Sequence, residues 1–143
     1  APRRLETIRS LMAAGARVVG SPRLVFADLT SERRWLYAWQ GARPYVVPGS
    51  MAFRRDDFEA VGGYNERRHG SEDGGFTMRL CERAGEKLAV VDDLSVYAAT
   101  MHPGNTGKRT LAPPKWTPWG GQLDAGAEAG VGELAGAWRR NAP

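Results

Sequence analysis

Residues 49–85 read GSMAFRRDDFEAVGGYNERRHGSEDGGFTMRLCERAG, and this stretch decides the fold. Ser50 to Arg54 predicts a strand with Met51 and Phe53 on one face. Asp56 to Val61 predicts a short helix, stopped by Gly62-Gly63. Asn65 to Gly70 is a polar, basic loop. From Ser71 to about Ala84 a longer helix is predicted, with Phe76, Leu80 and Ala84 on one face and Gly85 as its stop. Gly74-Gly75 puts little helix propensity near its start, so that helix is expected to begin late. Strands alternating with helices in this way indicate an α/β domain.

Toward the N-terminus, Leu5, Ile8, Leu11 and Met12 recur at helical spacing, which predicts a helix from Arg3 to Ala14 that Gly15 ends. Arg17 to Gly20 predicts a short buried strand, and Arg23 to Ala27 a second extended segment. After a turn at Asp28 to Ser31, Trp35, Tyr37 and Trp39 alternate with Leu36 and Ala38, so a hairpin from Leu24 to Trp39 is expected. Toward the C-terminus, Leu88 to Val91 and Ser95 to Ala99 predict short strands. Pro113, Pro114 and Pro118 are expected to break any regular element. The Gly- and Ala-rich remainder reads as a poorly ordered tail over 113–143, with a weak helix near Gly132 to Arg139. The domain itself is expected over 1–112.

The 143 residues suit one domain, which at this length buries roughly 68–70 % of its unfolded surface. The apolar fraction of 42 % and charged fraction of 25 % exclude collagen-like and wholly disordered chains. No apolar run approaches the roughly 18 residues of a membrane span. Cys81 is the sole cysteine, so no internal disulfide forms and a reducing compartment is expected. The net charge is +4, carried by 17 arginines and three lysines among 20 basic residues. That balance suits phosphates, nucleic acids or anionic surfaces, and it also fits an ordinary arginine-, alanine- and glycine-rich composition.

Three stretches can carry chemistry. Ser71-Glu72-Asp73 places two carboxylates at a helix start. They can serve the helix dipole behind an N-cap serine, or one can be a general base aimed into a cleft. His102-Pro103-Gly104-Asn105-Thr106, followed by Lys108 and Arg109, offers backbone N–H groups and cations to phosphate oxygens, and an imidazole to a divalent metal. Gly49-Ser50 opens a strand with small residues that let a ligand approach the backbone. Walker A, Rossmann, HExxH, CxxC and Gly-x-Ser-x-Gly patterns are absent from the sequence.

Taken in order, Gly49-Ser50, Phe53-Arg54-Arg55, Phe58, Gly62-Gly63-Tyr64, Glu72-Asp73, Arg79-Leu80 and Gly85 closely resemble the acceptor-side half of family 2 glycosyltransferases, of GT-A fold. The resemblance spans roughly Leu5 to Trp116. Val18-Val19-Gly20-Ser21, Trp35-Leu36-Tyr37 and His102 to Thr106 are similar to a bacterial branch. It implies a partial GT-A fold with a mixed sheet and flanking helices, and an inverting transfer of a sugar from a nucleotide-sugar donor to the hydroxyl of a glycan or other acceptor. Asp73 matches the family's catalytic base and Glu72 the acid beside it. Gly49 and Ser50 match the lining of the cleft, His102 matches a histidine that helps hold Mn²⁺ or Mg²⁺ with the diphosphate, and Arg67, Arg68, Lys108 and Arg109 are the cations expected around the substrate.

The family's donor-binding half and its Asp-x-Asp lie N-terminal to this region, and no Asp-x-Asp occurs here: Asp56-Asp57 and Asp92-Asp93 are adjacent pairs. Either a fragment of a longer enzyme or a shortened gene product is therefore expected. It should be inactive alone, bind metal and nucleotide weakly, and pair with a missing half or with itself. A cytoplasmic or membrane-peripheral setting follows. The reading from another class is a non-catalytic carbohydrate- or partner-binding module that uses Trp35, Tyr37 and Trp39 as a platform. Binding of nucleic acid is not expected, because no nucleic-acid motif accompanies the aromatics.

Overall fold

The computed structural model describes residues 2–64, 72–95, 97–103 and 114–141. They form an α/β protein whose chain divides into two compact units, Pro2–Pro22 with Trp39–Asp92, and Arg23–Ala38 with Asp93–Pro143.

The first unit is built on a mixed three-stranded sheet. Its central strand β1 (Val18–Gly20) pairs antiparallel with β4 (Ala52–Phe53) and parallel with β5 (Leu88–Val90). Val18 and Val19 point to opposite faces of the sheet and both are fully buried, so both faces of this strand are covered. Helix α1 (Pro2–Ala13) precedes it. Gly15, at φ +103°, closes α1: the Ala16 N–H bonds to Leu11 and the Gly15 N–H to Met12, a Schellman-type stop that a side chain at Gly15 would strain. The Arg54 Nη2 also donates to the Met12 carbonyl, at 2.8 Å, adding a second bond to that helix end.

Helices α2 (Arg55–Ala60) and α3 (Glu72–Ala84) complete this unit. The spacing of Phe76, Leu80 and Ala84 does what the periodicity predicts: all three are buried, with Val18, Val46 and Cys81, against Met51, Phe53, Phe58, Val61 and Leu88. Burying a Phe or Leu side chain is worth about 1.5–3 kcal/mol, so this cluster anchors the unit. Two expectations are corrected. Ser50 to Arg54 is not one strand: Pro48–Ser50 is a 3₁₀ turn, and only Ala52–Phe53 pairs in the sheet. Helix α3 also does not start late. It includes Gly74-Gly75, because Thr77 Oγ1 donates to the Asp73 carbonyl at 2.8 Å and Arg79 Nη1 to the Gly75 carbonyl at 3.2 Å. These bonds and the burial of Phe76 outweigh the weak propensity.

The second unit holds a four-stranded mixed sheet in which β6 (Ala98–Met101), β2 (Arg23–Asp28), β3 (Arg34–Ala38) and β7 (Trp116–Pro118) lie side by side in that order. Strands β2 (Arg23–Asp28) and β3 (Arg34–Ala38) form the expected hairpin, in register from Arg23 opposite Ala38 to Ala27 opposite Arg34. The Asp28 carboxylate shapes the turn by accepting from the Thr30 N–H at 2.9 Å and the Ser31 hydroxyl at 2.6 Å. Strand β6 (Ala98–Met101) begins three residues later than the expected Ser95. There the Asp93 carboxylate instead holds the Ser95 N–H and hydroxyl in a turn.

The tail, expected to hold only a weak helix near Gly132 to Arg139, contains β7 (Trp116–Pro118) and a longer helix there, α4 (Ala125–Asn141). Proline is tolerated in β7 because that strand lies at the sheet edge, where a missing N–H costs no ladder bond. Helix α4 is glycine-rich, and no residue in it is buried. It is held at its ends and by charge. Asp124 Oδ1 caps the Ala127 N–H at 2.8 Å, Glu128 pairs with Arg34, and Arg139 pairs with Glu32 at 2.9 Å. Among the described residues no helix is long and apolar enough to cross a membrane.

Candidate functional site

The N-terminal turn of α3 gathers the expected residues of the first unit. Asp73 lies in that turn and is exposed. One turn on, Thr77 is fully buried, and its hydroxyl donates to the Asp73 carbonyl and lies 3.7 Å from Met51 Sδ. The Gly49-Ser50-Met51 segment is thus seated against the start of α3. Gly49 is exposed and Ser50 is buried. The Ser50 hydroxyl is engaged with backbone: it accepts from the Ser21 N–H at 2.9 Å and donates toward the carbonyls of Val47 (2.8 Å) and Ser21 (3.1 Å). That clasp fixes the loop before β4. Glu72 is the first residue of α3.

Tyr64 joins this group without having been singled out as a site residue. Its ring centroid lies 4.3 Å from that of Phe76, three residues after Asp73 on the same helix face. Partial burial, joined by the negative charge of Asp73, pushes the Tyr64 phenol up from its ordinary value. No signal in the sequence links Tyr64 to Asp73, because their proximity depends on the packing of Tyr64 over Phe76.

At the other end of α3 a second polar cluster also escapes sequence reading. Asp57 is buried, with 1 % of its side chain exposed. Both its oxygens accept from Arg17 Nε at 2.8 and 2.9 Å, and Oδ1 also accepts from Arg17 Nη2 (2.7 Å) and Arg83 Nε (2.9 Å). Burial alone would raise its carboxyl. The bonds and charges of the two guanidiniums outweigh burial and hold it below the usual carboxylate range. A carboxylate this buried and paired with two arginines reads as a structural link between β1, α2 and α3.

His102 lies in the second unit, where its ring stacks on Trp138 at 4.4 Å. Among the described residues no group of three or more His, Cys, Asp or Glu side chains comes together. Arg67, Arg68, Lys108 and Arg109 lie outside the described residues. The expected aromatic row does not extend along one strand. Trp35 and Tyr37 share a face of β3, and Tyr37 packs on Trp116 at 5.1 Å. Trp39 lies beyond the strand and stacks on Tyr45 at 4.3 Å. No protein-family model matches the chain, and neither a curated protein nor a solved structure matches it.

Proposed function

We propose that this chain is the acceptor side of an inverting, family 2-type glycosyltransferase of partial GT-A fold, with Asp73 as its general base. The observation that supports this reading most is the placement of Asp73: an exposed carboxylate at the start of a well-anchored helix, beside Tyr64 and near the Gly49–Met51 segment. In the proposed reaction the Asp73 carboxylate takes the proton of an acceptor hydroxyl as that oxygen attacks the anomeric carbon of a nucleotide sugar. The new C–O bond forms as the bond to the diphosphate breaks, and the nucleoside diphosphate leaves with the electron pair. Rigidity matters to such a base, because a misplaced proton acceptor loses its hydrogen-bond reach. Thr77 and Arg79 supply that rigidity by bonding to the carbonyls of Asp73 and Gly75.

Because no Asp-x-Asp occurs in the sequence, the proposal gives this chain the acceptor side alone and leaves donor and cation to a donor-binding half. The test is turnover of a nucleotide sugar by the protein that carries this chain together with such a half. Asp73→Asn preserves shape and removes the proton acceptor, so turnover should fall by at least about 10², the lower figure for general-base catalysis. Unchanged turnover in Asp73→Asn would sink the assignment.

A further inference from the structure

The three-stranded sheet of the first unit brings cations into one row at one of its ends. Just outside the Val18 pairs, the Arg54 N–H donates to the Arg17 carbonyl at 3.3 Å and the Arg17 N–H to the Lys87 carbonyl at 3.0 Å. Arg54, Arg17 and Lys87 therefore lie side by side, and like charges at opposed strand positions repel. Arg83, in the last turn of α3, adds a fourth cation. The fold offsets this charge only in part. Arg54 donates to the carbonyls of Met12 and Ala16. Asp57 serves Arg17 and Arg83, and Asp56 pairs with Arg17. Lys87 is exposed and makes no ion pair with any described residue.

Arg17, Arg83 and Lys87 line one open cavity of about 380 Å³, together with Ala84 and Glu86. The two guanidiniums are fixed in its wall. Both Nε atoms hold the same Asp57 oxygen at 2.9 Å, and that carboxylate is buried. Their outer nitrogens are unused: among the described residues, Arg17 Nη1 and Arg83 Nη1 and Nη2 make no hydrogen bond. Both side chains reach water. Guanidiniums anchored in this way have already lost the rotamer freedom that binding an oxyanion would otherwise cost. A cation in the last turn of α3 also suits the helix dipole, yet that role requires neither Lys87 nor a cavity.

We propose that Arg17, Arg83 and Lys87 form a binding site for the phosphate group of a small soluble ligand, either inorganic phosphate or a phosphate monoester. The donors set the class: guanidinium forks match pairs of phosphate oxygens, and the ammonium adds a point charge. Three cations against one carboxylate, Glu86, in the lining favour a dianion. A volume of about 380 Å³ lies at the low end of small-ligand sites, about 300–1,000 Å³, and so suits a small ester. The site is separate from the proposed base, because Asp73 and Arg83 are about 15 Å apart along the axis of α3. It stands whether or not Asp73 is catalytic.

The probes are sodium phosphate and glycerol 3-phosphate, titrated at constant ionic strength against the 143-residue chain and followed by amide NMR shifts. Binding in the millimolar range is expected, with the shifts centred on residues 17 and 83–87. Lys87→Gln should weaken it at least about threefold, Glu86→Gln should tighten it, and Lys87→Arg should stay within about twofold. Glu86 and Lys87 are exposed, so all three variants should fold, and far-UV spectra check this. Absence of binding by both probes, an equal response to sodium chloride, equal binding by Lys87→Gln, or no tightening in Glu86→Gln overturns the site. Vesicles of phosphatidylcholine with phosphatidic acid separate a lipid source from a soluble one. Flotation with these vesicles that Lys87→Gln abolishes, without a response to the soluble probes, would overturn the small-ligand site in favour of a membrane surface.

Discussion

Replacing Asp57 by alanine should be among the most damaging single changes to the first unit. Its carboxylate is 1 % exposed and takes bonds from two arginines that arrive from the start of β1 and from α3. Hydrogen bonds to charged groups are worth about 1.5–3 kcal/mol each, and breaking a buried ion pair costs about 3–5 kcal/mol when the abandoned charge stays buried. Here the Arg17 and Arg83 side chains are 29 % and 46 % exposed, so water recovers part of the loss. A net destabilisation of about 2–3 kcal/mol is expected, or roughly 5–10 °C in the melting midpoint for a chain of this size. Asp56→Ala should move the midpoint far less, since the Asp56 side chain is 67 % exposed and solvent screens its pair with Arg17. The pH dependence follows from the lowered folded-state carboxyl. Its contribution is fully present above the unfolded carboxylate value of about 3.9 and is lost as pH falls through the lower folded value. Thermal and urea unfolding of both proteins should therefore show the full difference near neutral pH and a narrowing gap well below about pH 4. A variant within about 0.5 kcal/mol of the parent at neutral pH, the range of an ordinary surface change, would refute the reasoning. So would a gap that persists unchanged into acid.

If Asp73 is the base, Glu72→Gln should be much milder than Asp73→Asn in the transfer assay, because charge at a helix start is worth only about 0.3–1 kcal/mol; the reverse ranking would move the base to Glu72. Equal small losses, with lowered melting temperatures, would assign both carboxylates to the helix start. Gly63→Ala should destabilise by about 1–2 kcal/mol from the left-handed backbone alone, with more from the displaced Phe58 ring, and circular-dichroism melts that overlay those of the parent would contradict the close fit of that turn. The 143-residue chain should bind nucleoside diphosphates weakly even with Mn²⁺; calorimetry giving micromolar, metal-dependent binding would show that this chain carries donor contacts of its own.

Much of the local structure was legible along the chain. The spacing of Phe76, Leu80 and Ala84 names the buried face of α3, because a helix repeats every 3.6 residues and these positions fall on one stripe. Gly15, Gly62-Gly63 and Gly85 end helices where expected, since each takes a left-handed backbone that other residues resist. The pairing of Leu24 with Tyr37 and Phe26 with Trp35 follows from alternation across a short turn. The carboxylate at the start of α3 could be read too, as could the small residues before β4.

What sequence reading missed depends on contacts between distant residues. Asp56 and Asp57 are identical in kind and adjacent, yet only Asp57 turns inward, onto an arginine 40 residues earlier and another 26 residues later. Ser50 turns its hydroxyl to the backbone of Ser21 and Val47, so its chemistry is occupied in a way that no local pattern records. Strand β7 holds a proline because it lies at the sheet edge, and the partners of Glu128 and Arg139 in α4 lie far away in sequence, on Arg34 and Glu32. Tyr64 is placed by Phe76 beneath its ring and by Arg79, which holds its turn. By itself, then, the sequence determined the period, stops and candidate chemistry of each element, which are local and repeat along the chain. Only the tertiary structure decided which charges pair, which hydroxyls are occupied and which ring faces water. Those outcomes depend on desolvation and on bonds that form once residues far apart in sequence are brought together.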